Sequence, residues 1–323
     1  MNKFVLLAVL SAIIVCTSCD KEEPKENFVG IEGISFENYP KVDGSTSARA
    51  VNIMIACKLL NVRYDWRGPL LGLGEWYLEP NLNDVPEKHK DFFRLGERIK
   101  TSQTHGAFMN LIDGNADIIL THRTISPDEK AYADKHDVTL IETSIALDAF
   151  VFIVHNNNPV KSLTVNEIQK IYTEEITNWS EVGGNNENIQ VFTRPRNSGS
   201  EEVFRTLVMN GIEPSDFPAS SEVMQMSPVF TEILANPNAI CYTFNNYKDM
   251  IVRVSDSSVP KIAINNIFPD ASAVVSKTYP FISELRVAIR SDLDRNSMAY
   301  KLYEWLQSES AKSTTTECGF ITK

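Results

Sequence analysis

The sequence predicts an α/β protein that holds a ligand between two lobes, and two observations lead to this prediction. Short apolar runs with strand character alternate with stretches of helical apolar periodicity along most of the chain. In addition, two donor-rich loops, residues 43–47 and 194–200, each open such a helical stretch. A helix start has unpaired N–H groups and a partial positive charge, so it can hold an anion when nothing bulky blocks the approach. Because the two loops lie far apart in the chain, we interpret them as two sides of one oxyanion site.

The predicted elements follow one another in a regular order. Apolar positions three or four residues apart indicate helices, and uninterrupted apolar runs indicate buried strands. In chain order they are a helix after the first loop over Ala48, Val51, Ile55 and Leu59, a helix over Phe108, Leu111 and Ile112, strands at 117–121 and 149–154, a helix at 165–172, a helix after the second loop over Phe204, Leu207 and Val208, strands at 239–244 and 285–289, and a helix at 298–306.

Each of the two loops also has a simpler interpretation. Ser, Thr, Asp and Gly before a helix are ordinary capping residues, so the first loop alone is weak support for a ligand site. The second loop contains Arg194 and Arg196 within three residues, and capping does not require them. The second loop therefore favours an anion site more strongly.

The N-terminal residues predict export and lipid anchoring. A short basic start and an apolar run too brief to span a bilayer precede Cys16-Thr17-Ser18-Cys19, which resembles a bacterial lipoprotein signal. We expect a signal peptide at 1–18, lipid on Cys19 and a charged tether at 19–35. The protein would then lie outside the cytoplasm, on the periplasmic face of the outer membrane or on the cell surface. A soluble secreted protein cleaved nearby is the alternative.

Composition and missing motifs exclude several classes of function. The formal net charge of −11 argues against nucleic acid or an anionic membrane surface as a partner. No Gly-x-Ser-x-Gly elbow, phosphate-binding P-loop or dinucleotide motif occurs, and His105 and His122 are too far apart for a short metal motif. We therefore expect no enzyme activity, no cofactor and no metal. Beyond Cys19, we expect Cys57, Cys241 and Cys318 to be buried thiols.

Taken in order, these segments resemble the phosphate-binding component of bacterial ABC importers, within the periplasmic binding protein superfamily. The resemblance runs from Tyr39 to Phe320 and leaves residues 63–100 poorly matched, which we interpret as a surface insertion. It is carried by residues 152–160, 176–179, 182–184, 194–200, 239–242, 279–281 and 318–320.

The resemblance implies two α/β lobes that close on the ligand about a hinge. We expect lobe I at 36–155 and again at 256–323, with lobe II at 156–255. The implied function is the capture of phosphate or a similar oxyanion, by a monomer, for an ABC permease. The alternative is a receptor or sensor of the same fold that is not coupled to transport. The ligand residues implied by position are Ser45, Thr46, Arg194, Ser198, Gly199 and Ser200, and a third loop at 102–106 adds Thr104.

The chain departs from this family at the end of the third strand. High-affinity phosphate binders place a carboxylate acceptor there, whereas this chain has Thr121-His122-Arg123. His122 could contact the ligand or pack beside it, and Arg123 could pair with Asp128 or Glu129 instead of binding. Asp43 could accept the proton of phosphate, although its expected role is to hold the first loop.

If no carboxylate reaches the ligand, phosphate should be preferred over sulfate by about tenfold or less. Affinity should also rise as His122 becomes protonated below about pH 6.5. Arg196 is expected to be peripheral.

Overall fold

The structure is a computed structural model that describes residues 28–70 and 73–322. Its strands are β1 (Val42–Gly44), β2 (Tyr64–Arg67), β3 (Tyr77–Pro80), β4 (Ile118–Thr121), β5 (Leu140–Val154), β6 (Ser162–Leu163), β7 (Gln190–Val191), β8 (Ala239–Phe244), β9 (Ala263–Ile264) and β10 (Ile282–Arg290). Its α-helices are α1 (Arg49–Leu59), α2 (Asp91–Arg94), α3 (Gln103–Ile112), α4 (Pro127–Lys135), α5 (Val165–Tyr172), α6 (Gly199–Val203), α7 (Pro228–Ala235), α8 (Ala271–Val275), α9 (Met298–Trp305) and α10 (Glu309–Glu317). Single-turn 3₁₀ segments and two π-helical segments, Phe204–Met209 and Tyr247–Val252, complete the elements.

The main sheet is mixed and runs in the order β1-β4-β10-β5-β8-β7. The long strand β5 belongs to both halves of it. Residues 140–149 pair antiparallel with β10, and residues 150–154 pair antiparallel with β8. The pairs β1–β4 and β7–β8 are parallel. One continuous strand therefore connects the two halves, and the predicted α/β fold class is confirmed.

Two hydrophobic cores lie on either side of this connection. One core joins β1, β4 and β10 to helices α1, α9 and α10, and we call this part lobe I. The other surrounds the end of β5 and β8 and includes α5, α7 and the π-helical segments, and we call it lobe II. Each lobe buries an apolar face of its part of the sheet, which is the main source of stability for such layers.

The predicted return to lobe I at residue 256 is corrected by the structure. Strand β9 pairs in parallel with β6, and the Tyr279 hydroxyl donates to the Phe150 carbonyl at 3.0 Å. Val274 and Phe281 are buried in the core of lobe II. The chain therefore returns to lobe I only with β10, because strand pairing between distant segments, and not local pattern, sets this boundary.

The predicted signal peptide and Cys19 lie outside the described residues, and so does the tether up to residue 27. Residues 28–35, the last part of the predicted tether, are attached to lobe I. The prediction that they belong to a tether is therefore corrected. The Phe28 ring packs edge-on against Trp305, whose indole N–H donates to the Val29 carbonyl at 2.7 Å. Within residues 28–70 and 73–322, no helix has the length and apolar character needed to cross a membrane. The thiols of Cys57, Cys241 and Cys318 are buried and free, as predicted.

Residues 63–100 are more than a surface insertion. Strands β2 and β3 form an antiparallel hairpin, and Leu78 of β3 is buried in the core of lobe I. At the other end of the hairpin, the Trp76 backbone N–H donates to the Ile251 carbonyl of lobe II at 2.6 Å. The Arg253 guanidinium of lobe II lies over the Trp76 ring at 4.1 Å. The hairpin is rooted in one lobe and reaches the other, so the prediction of a surface insertion is corrected.

Candidate anion-binding site

A cavity of about 240 Å³ lies between the lobes, where the three predicted loops meet. This volume is below the roughly 300–1,000 Å³ of pockets that hold drug-sized ligands, which suits a small ligand. The lining residues are Ser45, Thr46, Ser47, Glu75, Gln103, Thr104, Arg194, Ser198, Gly199, Ser200, Met224, Gln225, Met226 and Phe244. All the predicted ligand residues except His122 are thus brought together on one cavity.

Three helix starts meet at the cavity. Thr46 begins a 3₁₀ turn that runs directly into α1, Gln103 begins α3, and Gly199 begins α6, which continues as a π-helix to Met209. The Ser198 hydroxyl caps α6 by accepting from the Glu201 backbone N–H at 3.2 Å. Because each start presents unpaired N–H groups and a partial positive charge, the three together favour an anion at this point.

Arg194 supplies full positive charge to the cavity. The residue is only 6% exposed, and its Nε and Nη1 atoms have no hydrogen-bond partner within the described residues. Burial lowers the pKa of its guanidinium, since the charged form has lost water. A buried cation without a partner is costly, and an anion in the cavity would remove that cost. Arg194 therefore presents an unpartnered buried cation to the cavity.

Glu201, a buried carboxylate of lobe II, makes no ion pair with the Arg194 guanidinium. Glu201 accepts a hydrogen bond from the Tyr242 hydroxyl and another from Arg205 Nε at 2.7 Å. The Tyr242 oxygen in turn accepts from the Arg194 backbone N–H at 3.2 Å. Glu201 therefore fixes the backbone of the arginine loop while its charge is compensated by Arg205.

The loops of the two lobes approach closely at Gly199. A Cβ atom at this position would collide with the Thr104 hydroxyl at the start of α3. Only glycine allows the backbone of α6 to come this near to the opposite lobe. A similar limit applies at Gly44, where a Cβ would lie 2.7 Å from the Leu120 carbonyl. The glycines at these two positions are thus required by close packing, independently of any ligand.

Asp43 holds the first loop in place, as expected. Its Oδ1 accepts from the backbone N–H groups of Gly44 at 2.7 Å and Ser102 at 2.9 Å, and its Oδ2 accepts from Asn110 Nδ2 at 2.7 Å. The carboxylate is buried and does not line the cavity. It therefore ties the first loop to the third one and is not positioned to accept a proton from a ligand.

His122 lies behind the cavity wall, and its predicted contact with the ligand is corrected. Its Nδ1 is 2.8 Å from the Ser47 hydroxyl, and its ring packs on Phe244 with centroids 4.4 Å apart. Burial lowers the pKa of His122 to about 3. The imidazole stays neutral between pH 5.5 and 8, so the predicted gain of affinity through its protonation is also corrected.

Arg123 and Arg196 are placed away from the cavity. Arg123 Nη1 and Nη2 each donate to the Glu129 carboxylate at 2.7 Å, which is one of the two pairings considered from the sequence. The Arg196 side chain is 72% exposed and lies 3.6 Å from Glu213. Neither arginine lines the cavity, so Arg194 alone among the three faces it.

Sequence reasoning missed part of the lining. Glu75 comes from the β2–β3 hairpin, the segment that matched the resemblance least, and Met224, Gln225 and Met226 come from a loop with no regular pattern. No local motif marks these residues. Only the contact of the hairpin with lobe II brings Glu75 to the cavity.

Comparisons with known proteins identify the family and the fold of this chain. The chain matches the family described as PBP superfamily domain over residues 81–310. It is 28% identical to the phosphate-binding protein PstS of Bacillus subtilis (strain 168), over 99% of this chain and 94% of that protein. It is 23% identical to the phosphate-binding protein PstS of Borreliella burgdorferi, over 56% of this chain and 65% of that protein.

Solved structures share the fold. A Clostridium perfringens phosphate ABC transporter substrate-binding protein with bound phosphate has a TM-score of 0.62 at 24% identity, covering 90% of this chain and 99% of that one. An ABC-type phosphate transport receptor from Vibrio cholerae has a TM-score of 0.60 at 24% identity, covering 87% of this chain and 98% of that one.

Proposed function

This chain belongs to the PBP superfamily, whose match covers well over half of its residues, and we propose that it is a solute-binding protein that captures phosphate or a similar oxyanion. The observation that carries the proposal is the Arg194 guanidinium, which is buried at the cavity with unpartnered donors. The names of its relatives, which are phosphate-binding proteins, support phosphate as the first ligand to test.

In the proposed complex, the anion lies between the three helix starts. Arg194 donates charge-assisted hydrogen bonds to two of its oxygens, because a guanidinium matches the spacing of an oxyanion. The hydroxyls of Ser45, Thr46, Thr104 and Ser200, together with backbone N–H groups at the helix starts, would donate to the remaining oxygens. The favourable binding free energy would come from fixed donors that replace the water shell of the anion. These donors are held in place by the fold before the anion binds.

Binding would be accompanied by closure of the two lobes. The chain passes between the lobes in β5 at residues 149–150 and again at the start of β10. Rotation about these connections would open the cavity to water and would separate Gly199 from Thr104. An anion that touches both lobes stabilises the closed form by its greater affinity for that form.

We further propose that the bound anion is passed to an ABC permease and that the protein is held on a membrane by lipid on Cys19. Both proposals follow from the family and from the residues around Cys19. Mass spectrometry of the N-terminal peptide, after detergent extraction of expressing cells, should show a lipidated Cys19. An unmodified N-terminus at a later residue would contradict the anchor.

Calorimetric titration of the folded domain with phosphate, sulfate and molybdate tests the binding function. We expect phosphate to bind with a micromolar or lower dissociation constant, equivalent to about −8 kcal/mol or better. Absence of heat for every anion, together with no shift of the thermal midpoint, would rule the function out.

A further inference from the structure

We propose that His122 is a positioning residue for the anion, and that a proton shared between its Nε2 atom and Asp148 Oδ2 turns the hydroxyls of Ser47 and Ser45 toward the ligand. The inference rests on the proposed function and goes beyond it, because it assigns a role to a buried pair that does not line the cavity. It predicts that oxyanion affinity falls when the pair loses its shared proton.

A row of polar side chains leads from the cavity into the protein. Ser45 and Ser47 line the cavity, and their hydroxyl oxygens are 3.1 Å apart. Ser47 Oγ is 2.8 Å from His122 Nδ1, and on the other side of the imidazole Nε2 lies 3.7 Å from Asp148 Oδ2. Each of these four residues is no more than 4% exposed, so bulk water does not compete for their contacts.

The last two members of the row lack partners that they could give each other. His122 Nε2 and Asp148 Oδ2 have no hydrogen-bond partner within the described residues, and their separation exceeds a normal hydrogen bond by about 0.5–1 Å. Because an unpaired buried polar atom is costly, a proton that draws the two atoms together would satisfy both. Burial raises the pKa of Asp148 to about 8, which favours the protonated pair near neutral pH.

The shared proton sets the direction of every hydrogen bond in the row. Whether this proton sits on Asp148 Oδ2 or on His122 Nε2, the other imidazole proton must be on Nδ1. Nδ1 then donates to Ser47 Oγ. The hydroxyl protons of Ser47 and Ser45 are therefore free to point toward the ligand.

Loss of the shared proton would reverse the row. Asp148 would then be a carboxylate and would take the one remaining imidazole proton at Nε2, which leaves Nδ1 as an acceptor. Ser47 would have to donate to Nδ1, and its oxygen could only accept on the cavity side. A hydroxyl oxygen that faces an anion without a hydrogen between them is unfavourable, so affinity should fall although neither member of the pair touches the ligand.

The charges that act most strongly on the pair oppose each other. Asp249, on the second π-helical segment, raises the pKa of Asp148, and Lys261 lowers it. These two residues form an ion pair, with Lys261 Nζ 2.7 Å from Asp249 Oδ2. The other side chains beside the pair are uncharged, namely Ser283 opposite Asp148 on β10, and Phe244 and Phe320 against the imidazole ring.

Calorimetric titration of the wild type and of Asp148→Asn with phosphate, between about pH 6.5 and 9.5, tests the inference. The amide of the variant can donate to His122 Nε2 at every pH, so it keeps the imidazole proton on Nδ1 and imitates the protonated pair. We expect affinities within about threefold of each other at about pH 6.5, and wild-type binding about tenfold weaker than that of the variant at about pH 9.5. Comparison of the two proteins at the same pH removes the effect of the titration of phosphate itself.

Ser47→Ala separates the direction of the row from the charge of Asp148. Without the Ser47 hydroxyl, the imidazole has no link to the cavity. Adding Asp148→Asn to Ser47→Ala should therefore change affinity at each pH by less than about twofold.

Ser283→Ala is the matched control. Ser283 is buried opposite Asp148, and its hydroxyl has no hydrogen-bond partner within the described residues, but it does not belong to the row. This variant should keep the pH profile of the wild type. Thermal unfolding of each protein at each pH verifies that it is folded at the temperature of the titration.

The outcomes separate this inference from the proposed function. Phosphate binding with parallel pH profiles in the wild type and Asp148→Asn would overturn only the role of the pair. A difference that persists in the Ser47→Ala background would also overturn it, since the effect would then come from the charge of Asp148. A profile altered by Ser283→Ala would do the same, because the proton would be shared with Ser283. A wild type that binds phosphate at no pH would overturn the proposed function and the inference with it.

Discussion

Two buried arginines, Arg194 at the interlobe cavity and Arg123 away from it, have opposite surroundings. The Arg123 side chain is 8% exposed and is paired at 2.7 Å with Glu129, whose side chain is fully buried. Arg194 is equally inaccessible, yet its Nε and Nη1 atoms have no partner within the described residues and it lines the cavity. Burial alone therefore does not distinguish the two arginines. They differ in that a buried carboxylate pairs with Arg123, whereas the Arg194 guanidinium has no such partner among the described residues.

The largest expected effect on affinity is that of Arg194→Ala. The variant removes the one cation among the described lining residues, so phosphate affinity should fall by about 2–5 kcal/mol, which is roughly thirtyfold to several thousandfold. Calorimetric titration measures the change. An affinity within threefold of the wild type would contradict the assignment of Arg194 as the charge partner. Stability should not fall, because the variant also removes an unpaired buried charge.

Arg123→Ala should lower stability and leave phosphate affinity nearly unchanged, which is the reverse of the effect expected for Arg194→Ala. Removing this arginine leaves the buried Glu129 with His105 Nδ1 at 3.0 Å and without its main cation, so the free energy of unfolding should fall by about 3 kcal/mol. Phosphate affinity should remain close to that of the wild type. Urea unfolding and titration of the same preparation separate the two quantities. Loss of affinity with unchanged stability would mean that the comparison between the two arginines is wrong.

A third prediction concerns two buried polar atoms that have no hydrogen-bond partner. They lie opposite each other and do not line the cavity. His122 Nε2 and Asp148 Oδ2 lie 3.7 Å apart, and neither has a hydrogen-bond partner within the described residues. Burial raises the pKa of Asp148 to about 8, above its value of about 3.9 in the unfolded chain. At Asp148 the folded state therefore binds more protons between these values, and the contribution of this group to stability should decrease as the pH rises from about 4 to 8.

Asp148→Asn should remove this part of the pH dependence. The amide can still accept from the backbone N–H groups of Ala149 and Asn246, as Asp148 Oδ1 does at 2.8 and 3.0 Å. Between pH 5 and 8, the wild type should lose up to about 1.4 kcal/mol of unfolding free energy per pH unit more than the variant. Urea unfolding at pH 5, 6.5 and 8 gives the slopes. Parallel slopes for the two proteins would show that Asp148 is ionised in the fold.

The smallest effect is expected for Arg196→Ala. This side chain is largely exposed and lies near Glu213 at the surface, where ion pairs contribute about 0–1 kcal/mol. Phosphate affinity should stay within about threefold of the wild type, with a slightly weaker dependence on salt. A loss as large as that of Arg194→Ala would show that both arginines of the second loop reach the ligand.

The elements and the loops were largely predictable because their signals are local. The predicted helix at 165–172 and the predicted strand at 239–244 coincide with α5 and β8. Residues 149–154 were recognised as a strand from their apolar run, but β5 begins at Leu140, where half-buried polar residues interrupt the pattern. Capping residues before α6 were likewise visible, because a cap acts within three residues of itself.

Local signals in the sequence were enough to predict the α/β class, the two donor-rich helix starts and Arg194 as the leading candidate for the charge partner. Contacts made only in the folded chain set which charged groups are compensated, since Glu129 pairs with Arg123, and Glu201 binds Arg205 and Tyr242. It also placed His122 behind Ser47 and brought Glu75 to the cavity on a hairpin held by both lobes. The physical reason is that helix starts depend on neighbours along the chain, while desolvation and charge pairing depend on groups that only the folded chain brings together.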